Sequence, residues 1–296
     1  IEDGVTLHWH GLDVPNAEDG VAGVTQNAVM PGQTHVYRFI ASDAGTYWYH
    51  SHQQSYIGAG KGLFGLLIVE PQSSKNPSIV LDIPIVAHTF STLKETSNTI
   101  AFGASDTHQI KEVAPGTHVR LRLINTDNEP ATFKLIGTPF QVAAIDGTEL
   151  HNPTDLVDQE LLVASGGRYD VTFTMPREGV FLGRKSDKKG KSQASLLMSP
   201  DGKDSEFKEV KPKRSVTFDP LTYGSPDATS VAPFYGHYDR EFQLILDKKL
   251  GLYNGSFKYS FTINGKLFPE TPMLMVKEGD IVKTTIVNHS SASHPM

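Results

Sequence analysis

One stretch of this sequence occurs twice at nearly full length. Val-Ala-Pro-Gly-Thr-His-Val-Arg-Leu-Arg-Leu-Ile-Asn at residues 113–125 returns as Val-Lys-Glu-Gly-Asp-Ile-Val-Lys-Thr-Thr-Ile-Val-Asn at 276–288, and a shorter echo, Ile-Glu-Asp-Gly-Val-Thr-Leu, opens the chain at 1–7. Each copy is a turn glycine feeding an alternating run that ends near Asn, and such self-similarity counts structural units better than length does. A second pattern runs from Pro31-Gly32 through residues 33–39 into Gly45-Thr-Tyr-Trp-Tyr-His-Ser-His52, and recurs from Gly166-Gly167 through 168–173 into Gly179-Val-Phe-Leu-Gly-Arg-Lys185. In the second copy the histidines are gone. The repeats divide the chain into units at about 1–71, about 78–215 and from about 240 to 296, separated by polar, proline-bearing stretches such as 71–77. The third unit breaks off after its first alternating strands. A lone half-sandwich exposes its apolar face and strand edges, so the expectation is a chain that continues past Met296 and a first unit short of its opening strands.

The runs at 35–40, 118–124 and 280–287 alternate apolar and polar residues between Gly or Pro turns, as half-buried antiparallel strands do. Long segments of 3.6-residue period are scarce. The expected class is therefore all-β, built as Greek-key sandwiches. No stretch approaches the roughly 20 apolar residues of a membrane helix. A net charge of −6 gives no basic stripe to offset phosphate repulsion, which argues against nucleic acid or an anionic surface as partner. The cluster Arg184, Lys185, Lys188, Lys189 and Lys191 reads as a solvated hairpin tip. With no cysteine there is no disulfide framework and no thiolate for a soft metal site, and cysteine usage does not reveal the compartment.

Two segments carry chemistry. His8-Trp9-His10 and His50-Ser51-His52 share the His-x-His spacing, and on an extended strand residues two apart point to one face. A single pair of this kind is as well read as a hydrogen-bonded structural feature. Two pairs within one β unit bring four imidazoles together in a site too crowded for ordinary packing, and that favours metal binding. Imidazole serves Cu, Zn, Fe and Ni alike, so the residue type does not choose the ion.

At these residues the sequence resembles the multicopper oxidases, whose first cupredoxin domain bears a His-Trp-His-Gly segment followed by a Tyr-His-Ser-His segment. The resemblance extends through residues 11–15, Asp19-Gly20, 24–26, Pro31-Gly32 and 62–69. It implies tandem cupredoxin-like domains of a three-domain, laccase-like oxidase holding four copper ions in the full-length protein. It makes His8 a ligand of the type 2 copper, and His10, His50 and His52 ligands of the paired type 3 coppers. Asp19 matches an acidic position near that cluster and becomes a candidate proton relay; the plain alternative is that Asp19-Gly20 is only a turn. His294, at the start of a His-Pro segment, becomes a type 1 ligand. A type 1 centre needs a cysteine thiolate, which these residues lack, so the remaining ligands are expected downstream. The implied partners are O2 and a small organic electron donor, and the implied location is extracytoplasmic.

The second unit, without paired histidines, would be a spacer. Trp9, Trp48 and Tyr49 are expected to pack around the imidazoles. His35, His88, His108, His118, His151, His237 and His289 have no paired partner and read as structural. Six scattered methionines give no Met-rich segment of the kind that would favour cuprous ion as reductant. Three other readings remain. One is a copper-holding protein without catalysis, as in storage or resistance; another is a zinc hydrolase with three His ligands and an open water position. The third is a two-domain copper nitrite reductase, which the His-free middle unit fits poorly.

Overall fold

The computed structural model describes residues 3–72, 81–91, 98–185, 194–204, 216–226, 236–253, 255–267 and 269–294. The chain divides into two compact units, Ile1–Ser225 and Pro226–Met296. The strands of the first unit are β1 (Leu7–His10), β2 (Gly45–Ser51), β3 (Phe64–Val69), β4 (Leu81–Ser91), β5 (Asn98–Phe102), β6 (His108–Glu112), β7 (His118–Asn125) and β8 (Ala131–Ile136). They continue as β9 (Gln141–Ile145), β10 (Thr148–Glu149), β11 (Gln159–Val163), β12 (Arg168–Thr174), β13 (Val180–Arg184), β14 (Ser195–Ser199) and β15 (Val216–Thr217). One short helix, α1 (Ser55–Gly60), lies between β2 and β3.

The architecture is all-β and cupredoxin-like. Two six-stranded sheets, in the orders β10-β9-β12-β7-β4-β5 and β15-β11-β8-β13-β14-β6, close on one core. Alternation does the sorting: Val119, Leu121 and Leu123 of β7 and Val171 and Phe173 of β12 meet Phe133, Leu135, Leu161, Val163, Val180 and Leu182 from the facing sheet. Each large apolar side chain buried in this way contributes about 1.5–3 kcal/mol. The intervening residues point outward. Arg120 and Arg122 of β7 and Asp170 of β12 form an ion-paired patch, in which Asp170 lies 2.6 Å from Arg120 and accepts a 2.8 Å hydrogen bond from the Thr46 hydroxyl on β2. That patch ties β2 to the second sandwich.

β1, β2 and β3 form a separate three-stranded antiparallel sheet in chain order. The segment 35–40, expected as a strand, joins no ladder. Its alternation survives, with Tyr37 and Phe39 packing on Trp9 while Val36 and Ile40 face outward. Its backbone is held by a side chain instead, the Arg38 N–H donating to Glu18 Oε2 at 2.9 Å. Alternation reports two unlike faces and is silent on whether a hydrogen-bonding neighbour exists, which is why the expectation failed here.

In the second unit, β16 (Arg240–Tyr253) and β17 (Ser256–Ile263) form an antiparallel hairpin, and β18 (Val282–Asn288) runs parallel to β16. The long sequence repeat has a structural counterpart in this pairing. β7 runs parallel to β4 just as β18 runs parallel to β16, so both copies of the glycine-fed run occupy the same place in their sheets. Leu250, Leu252, Phe257, Tyr259 and Phe261 line one exposed side of the β16–β17 hairpin.

The expected basic hairpin tip needs correction. The Arg184 side chain is only 8% exposed and lies 2.6 Å from the Asp127 carboxylate, and Lys185 pairs with Glu160. The remaining lysines of that run, and most of the 71–77 stretch, lie outside the described residues.

Candidate metal centre

The β1–β2 ladder sets the site. Its register places His8 opposite His50 and His10 opposite Trp48, so three imidazoles and one indole share a face by strand geometry alone. His52 extends the row beyond the end of β2, its N–H donating to the Thr6 carbonyl at 3.4 Å. Trp9 and Tyr49, also paired, take the opposite face. There they pack on each other at 5.8 Å between ring centroids, so of the three expected aromatic neighbours only Trp48 touches the imidazoles. Its ring lies 4.4 Å from that of His50 and 4.8 Å from that of His10.

One ligand atom each from His8, His10 and His50 falls within 4.8 Å of the others, the one grouping of three or more metal-ligating side chains among the described residues. His52 packs beside them, its ring 5.2 Å from that of His8 and 6.0 Å from that of His50. Hydrogen bonds fix the tautomers. His8 Nδ1 donates to the Asp19 carbonyl at 2.9 Å and His50 Nδ1 to the Ser51 carbonyl at 3.0 Å, which leaves both Nε2 lone pairs for the shared space. His10 instead presents Nδ1, 3.3 Å from His50 Nε2. Two ring nitrogens facing at that distance share either a proton or a cation. A tetrahedral ion with bonds of roughly 2.0 Å holds its ligand atoms about 3.3 Å apart.

Burial, reinforced by the Arg168 charge and by the neighbouring imidazoles, holds the His10 pKa down at about 3. Burial lowers His50 to about 4 against the opposing Ser51 hydrogen bond, and lowers His52 as well. These imidazoles are therefore neutral near pH 7, the form that binds metals.

Asp19 reaches the site through a turn. The 3₁₀ turn at Asn16–Glu18 ends at Asp19, and Gly20 then passes so close to β1 that a Cβ there would run into the Leu7 carbonyl. The approach brings Asp19 Oδ1 to 3.2 Å from His8 Nδ1, with about a third of the carboxylate side chain still exposed. The turn is therefore what places the Asp19 carboxylate beside His8.

A feature that sequence reasoning missed comes from the second sandwich. At the turn entering β12, the Gly166 carbonyl accepts the Trp48 indole N–H at 3.1 Å, and Arg168, 3% exposed, donates from Nε to the Thr46 carbonyl at 3.0 Å. The only sequence signal was the pair Gly166-Gly167 before Arg168. Nothing local links it to a histidine more than 150 positions away.

In the second unit, His294 Nε2 lies 2.8 Å from Ser290 Oγ and its ring meets that of Phe261 at 5.1 Å. It joins no grouping of three among the described residues. Four of the other histidines have partners away from the cluster. His88 is buried against Thr126 and Asp127, His108 pairs with Ser195, His118 with Thr174 and His237 with Asp239. No helix among the described residues is long and apolar enough to cross a membrane.

Comparison with known proteins bears on this geometry. Two family patterns, each described as Multicopper oxidase, match residues 1–74 and 72–196. Laccase-1 of Botryotinia fuckeliana is 31% identical over 197 residues, covering 58% of this chain and 34% of that protein. L-ascorbate oxidase of Cucumis sativus is 44% identical over 77 residues, 25% of this chain and 13% of that one. The chain thus spans about a third or less of the length of these curated relatives. A solved multi-copper oxidase from Pseudomonas Thermotolerans superposes with a TM-score of 0.67 at 23% identity, covering 98% of this chain and 69% of that chain, a likeness of fold.

Proposed function

Since this chain belongs to the multicopper oxidase family, whose cofactor is copper, we propose that the full-length protein is a laccase-like oxidase. It takes single electrons from phenolic or similar small organic donors and reduces O2 to water. The observation that carries this reading is the convergence of imidazoles from His8, His10 and His50 within 4.8 Å, with His52 alongside. The donor set fits copper: imidazole lone pairs, tautomers fixed from behind, and a partly desolvated pocket. In this reading His8 holds the type 2 ion, and His10, His50 and His52 hold the type 3 pair. His294 belongs to the type 1 centre, whose thiolate lies outside these 296 residues.

When bound, copper supplies one-electron transfer and oxygen reduction. The chain's residues do the rest. The Asp19 carbonyl and the Ser51 carbonyl hold protons on His8 Nδ1 and His50 Nδ1, aiming each Nε2 inward. Asp19 Oδ1, beside His8 and partly open to water, carries protons toward the site that oxygen reduction consumes. The three cupredoxin-like domains of this reading are 1–71, 78–215 and 240–296, the middle one a spacer. An extracytoplasmic location accompanies it.

Metal analysis and oxygen uptake on the full-length protein test the reading. About four copper ions per chain with phenol-dependent O2 uptake is the expected result. Copper without O2 uptake would favour the copper-holding alternative, and zinc in place of copper would overturn the proposal.

A further inference from the structure

We propose that the Gly166-Gly167-Arg168 corner of the second sandwich is a positioning device for His10, fixing its ring so that Nδ1 faces the other imidazoles. The ring lies between two walls. Trp48 covers one side at 4.8 Å and 33° between planes. On the other edge stands Gly166, where a Cβ would lie 2.7 Å from His10 Cε1 and 2.9 Å from Nε2, so only glycine leaves room for the ring. Gly166 also carries a positive φ of 72°.

The corner is itself pinned from three directions. The Gly166 N–H donates to the Asn125 carbonyl at 2.9 Å, and Asn125 Nδ2 donates back to the Ala164 carbonyl at 3.0 Å. The Gly166 carbonyl takes both the Trp48 indole N–H at 3.1 Å and Arg168 Nη1 at 3.3 Å. Arg168 is anchored in turn to Asp146 at 3.2 Å and to the Thr46 carbonyl on β2. Its Nη2, buried and without a hydrogen-bond partner, packs on Gly11, the residue after His10, where a side chain would run into it. The guanidinium therefore spans both strands of the histidine ladder, β2 at Thr46 and the end of β1 at Gly11. A ring rotation that exchanged Nδ1 for Nε2 would have to move this assembly.

The consequence for copper rests on the function proposed above, whereas the ring orientation belongs to the chain itself, and the experiment separates the two. Gly166→Ala is compared with Gly116→Ala, which has a similar positive φ of 85° but nothing within 4 Å of the added Cβ, so the control carries the backbone strain without the contact. The first readout is the nuclear Overhauser contact between the ring protons of His10 and Trp48 in metal-free protein, which none of the substitutions deletes. The second is Cu(II) affinity by competition with a chelator, using the full-length protein.

Removal of groups that orient a metal-binding histidine commonly weakens binding 10–100-fold. Gly166→Ala is expected to fall in that range and to lose the native ring contact, with Gly116→Ala within threefold of the parent. A Gly166→Ala protein that keeps both readouts would overturn the proposal. If that variant does not fold, Arg168→Met and Arg168→Lys decide: Met is expected to lose both readouts and Lys to recover part of them, while an unchanged Arg168→Met protein would refute the role. If the parent protein holds no copper but its ring contact is lost in Gly166→Ala alone, the positioning stands and the oxidase reading falls.

Discussion

In the antiparallel ladder of β1 against β2, His8 stands opposite His50 and His10 opposite Trp48. Aligning Gly45 with Gly179 in the sequence repeat makes β8 against β13 the equivalent ladder, and there the same places hold Phe133 opposite Arg184 and Leu135 opposite Leu182. The register is the same and the lining differs. In the second ladder Phe133, Leu135 and Leu182 are at most 1% exposed and belong to a continuous core. The first gives the same inward positions to imidazoles, which pack less apolar area and must remain neutral. One scaffold position can stabilise the fold or hold a ligand, and the side chain decides which.

Arg184 takes the place of His50, and its burial depends on Asp127. That carboxylate also accepts 2.6 Å hydrogen bonds from the Thr89 amide and hydroxyl. Asp127→Ala leaves a buried guanidinium without its counter-charge and is expected to cost about 3–5 kcal/mol, read from urea denaturation. A loss below about 1 kcal/mol would mean that water relieves Arg184 and that this ladder is less of a core element than its burial implies.

Writing a histidine into the second ladder tests the comparison from the other side. Leu135→His places an imidazole at the position equivalent to His10, amid apolar neighbours and with no second ligand. Lost packing and an unsatisfied ring nitrogen are expected to cost about 3 kcal/mol, with no gain in bound copper. Copper uptake at that position would show that the ladder alone, rather than convergence of several imidazoles, makes a site.

The metal-free histidine ladder should betray its burial through pH. The His10 and His50 pKa values are depressed from 6.5 to about 3 and about 4. Below pH 6.5 the unfolded chain therefore takes up protons that the fold refuses. This contribution to stability is complete above pH 6.5 and is lost as pH falls toward 4 and then 3. Between pH 7 and pH 5 the loss is on the order of 2 kcal/mol for each of the two groups, at about 1.4 kcal/mol per pKa unit. A flat profile over that window would show that the imidazoles are solvated.

The legible part of this site was its local part. His-x-His spacing fixes which ring shares a face with which because strand geometry repeats every two residues, whereas Asp19 was singled out by the family resemblance, its Asp-Gly pair alone reading as a turn. The alternation at 118–124 likewise reads directly as β7. The turn at Gly166 and the anchor at Arg168 were not legible. Their significance lies in contacts with Trp48 and Thr46 across more than 110 residues, and no short-range pattern encodes which turn of one sandwich meets which strand of another. Trp9 was misplaced for a related reason: its neighbours in sequence are ligand candidates, but a strand sends adjacent side chains to opposite faces.

The smallest expected effect is also the most direct test of what separates the ladders. His10→Leu installs the residue that the second ladder carries at Leu135. In metal-free protein at pH 7 it removes a desolvated imidazole whose hydrogen bonding is incomplete and returns apolar contact of similar size. The loss of the 3.3 Å contact with His50 works against this gain. The balance is expected to stabilise the fold by less than about 1 kcal/mol, seen as a higher urea midpoint at unchanged slope. The stability decline between pH 7 and pH 5 should shrink at the same time, because one of the depressed imidazoles is gone. Copper binding should fall with it. A destabilisation beyond about 2 kcal/mol would make His10 a packing residue like its counterpart, whereas a stabler protein that binds less copper would show that the histidine is kept at the expense of stability.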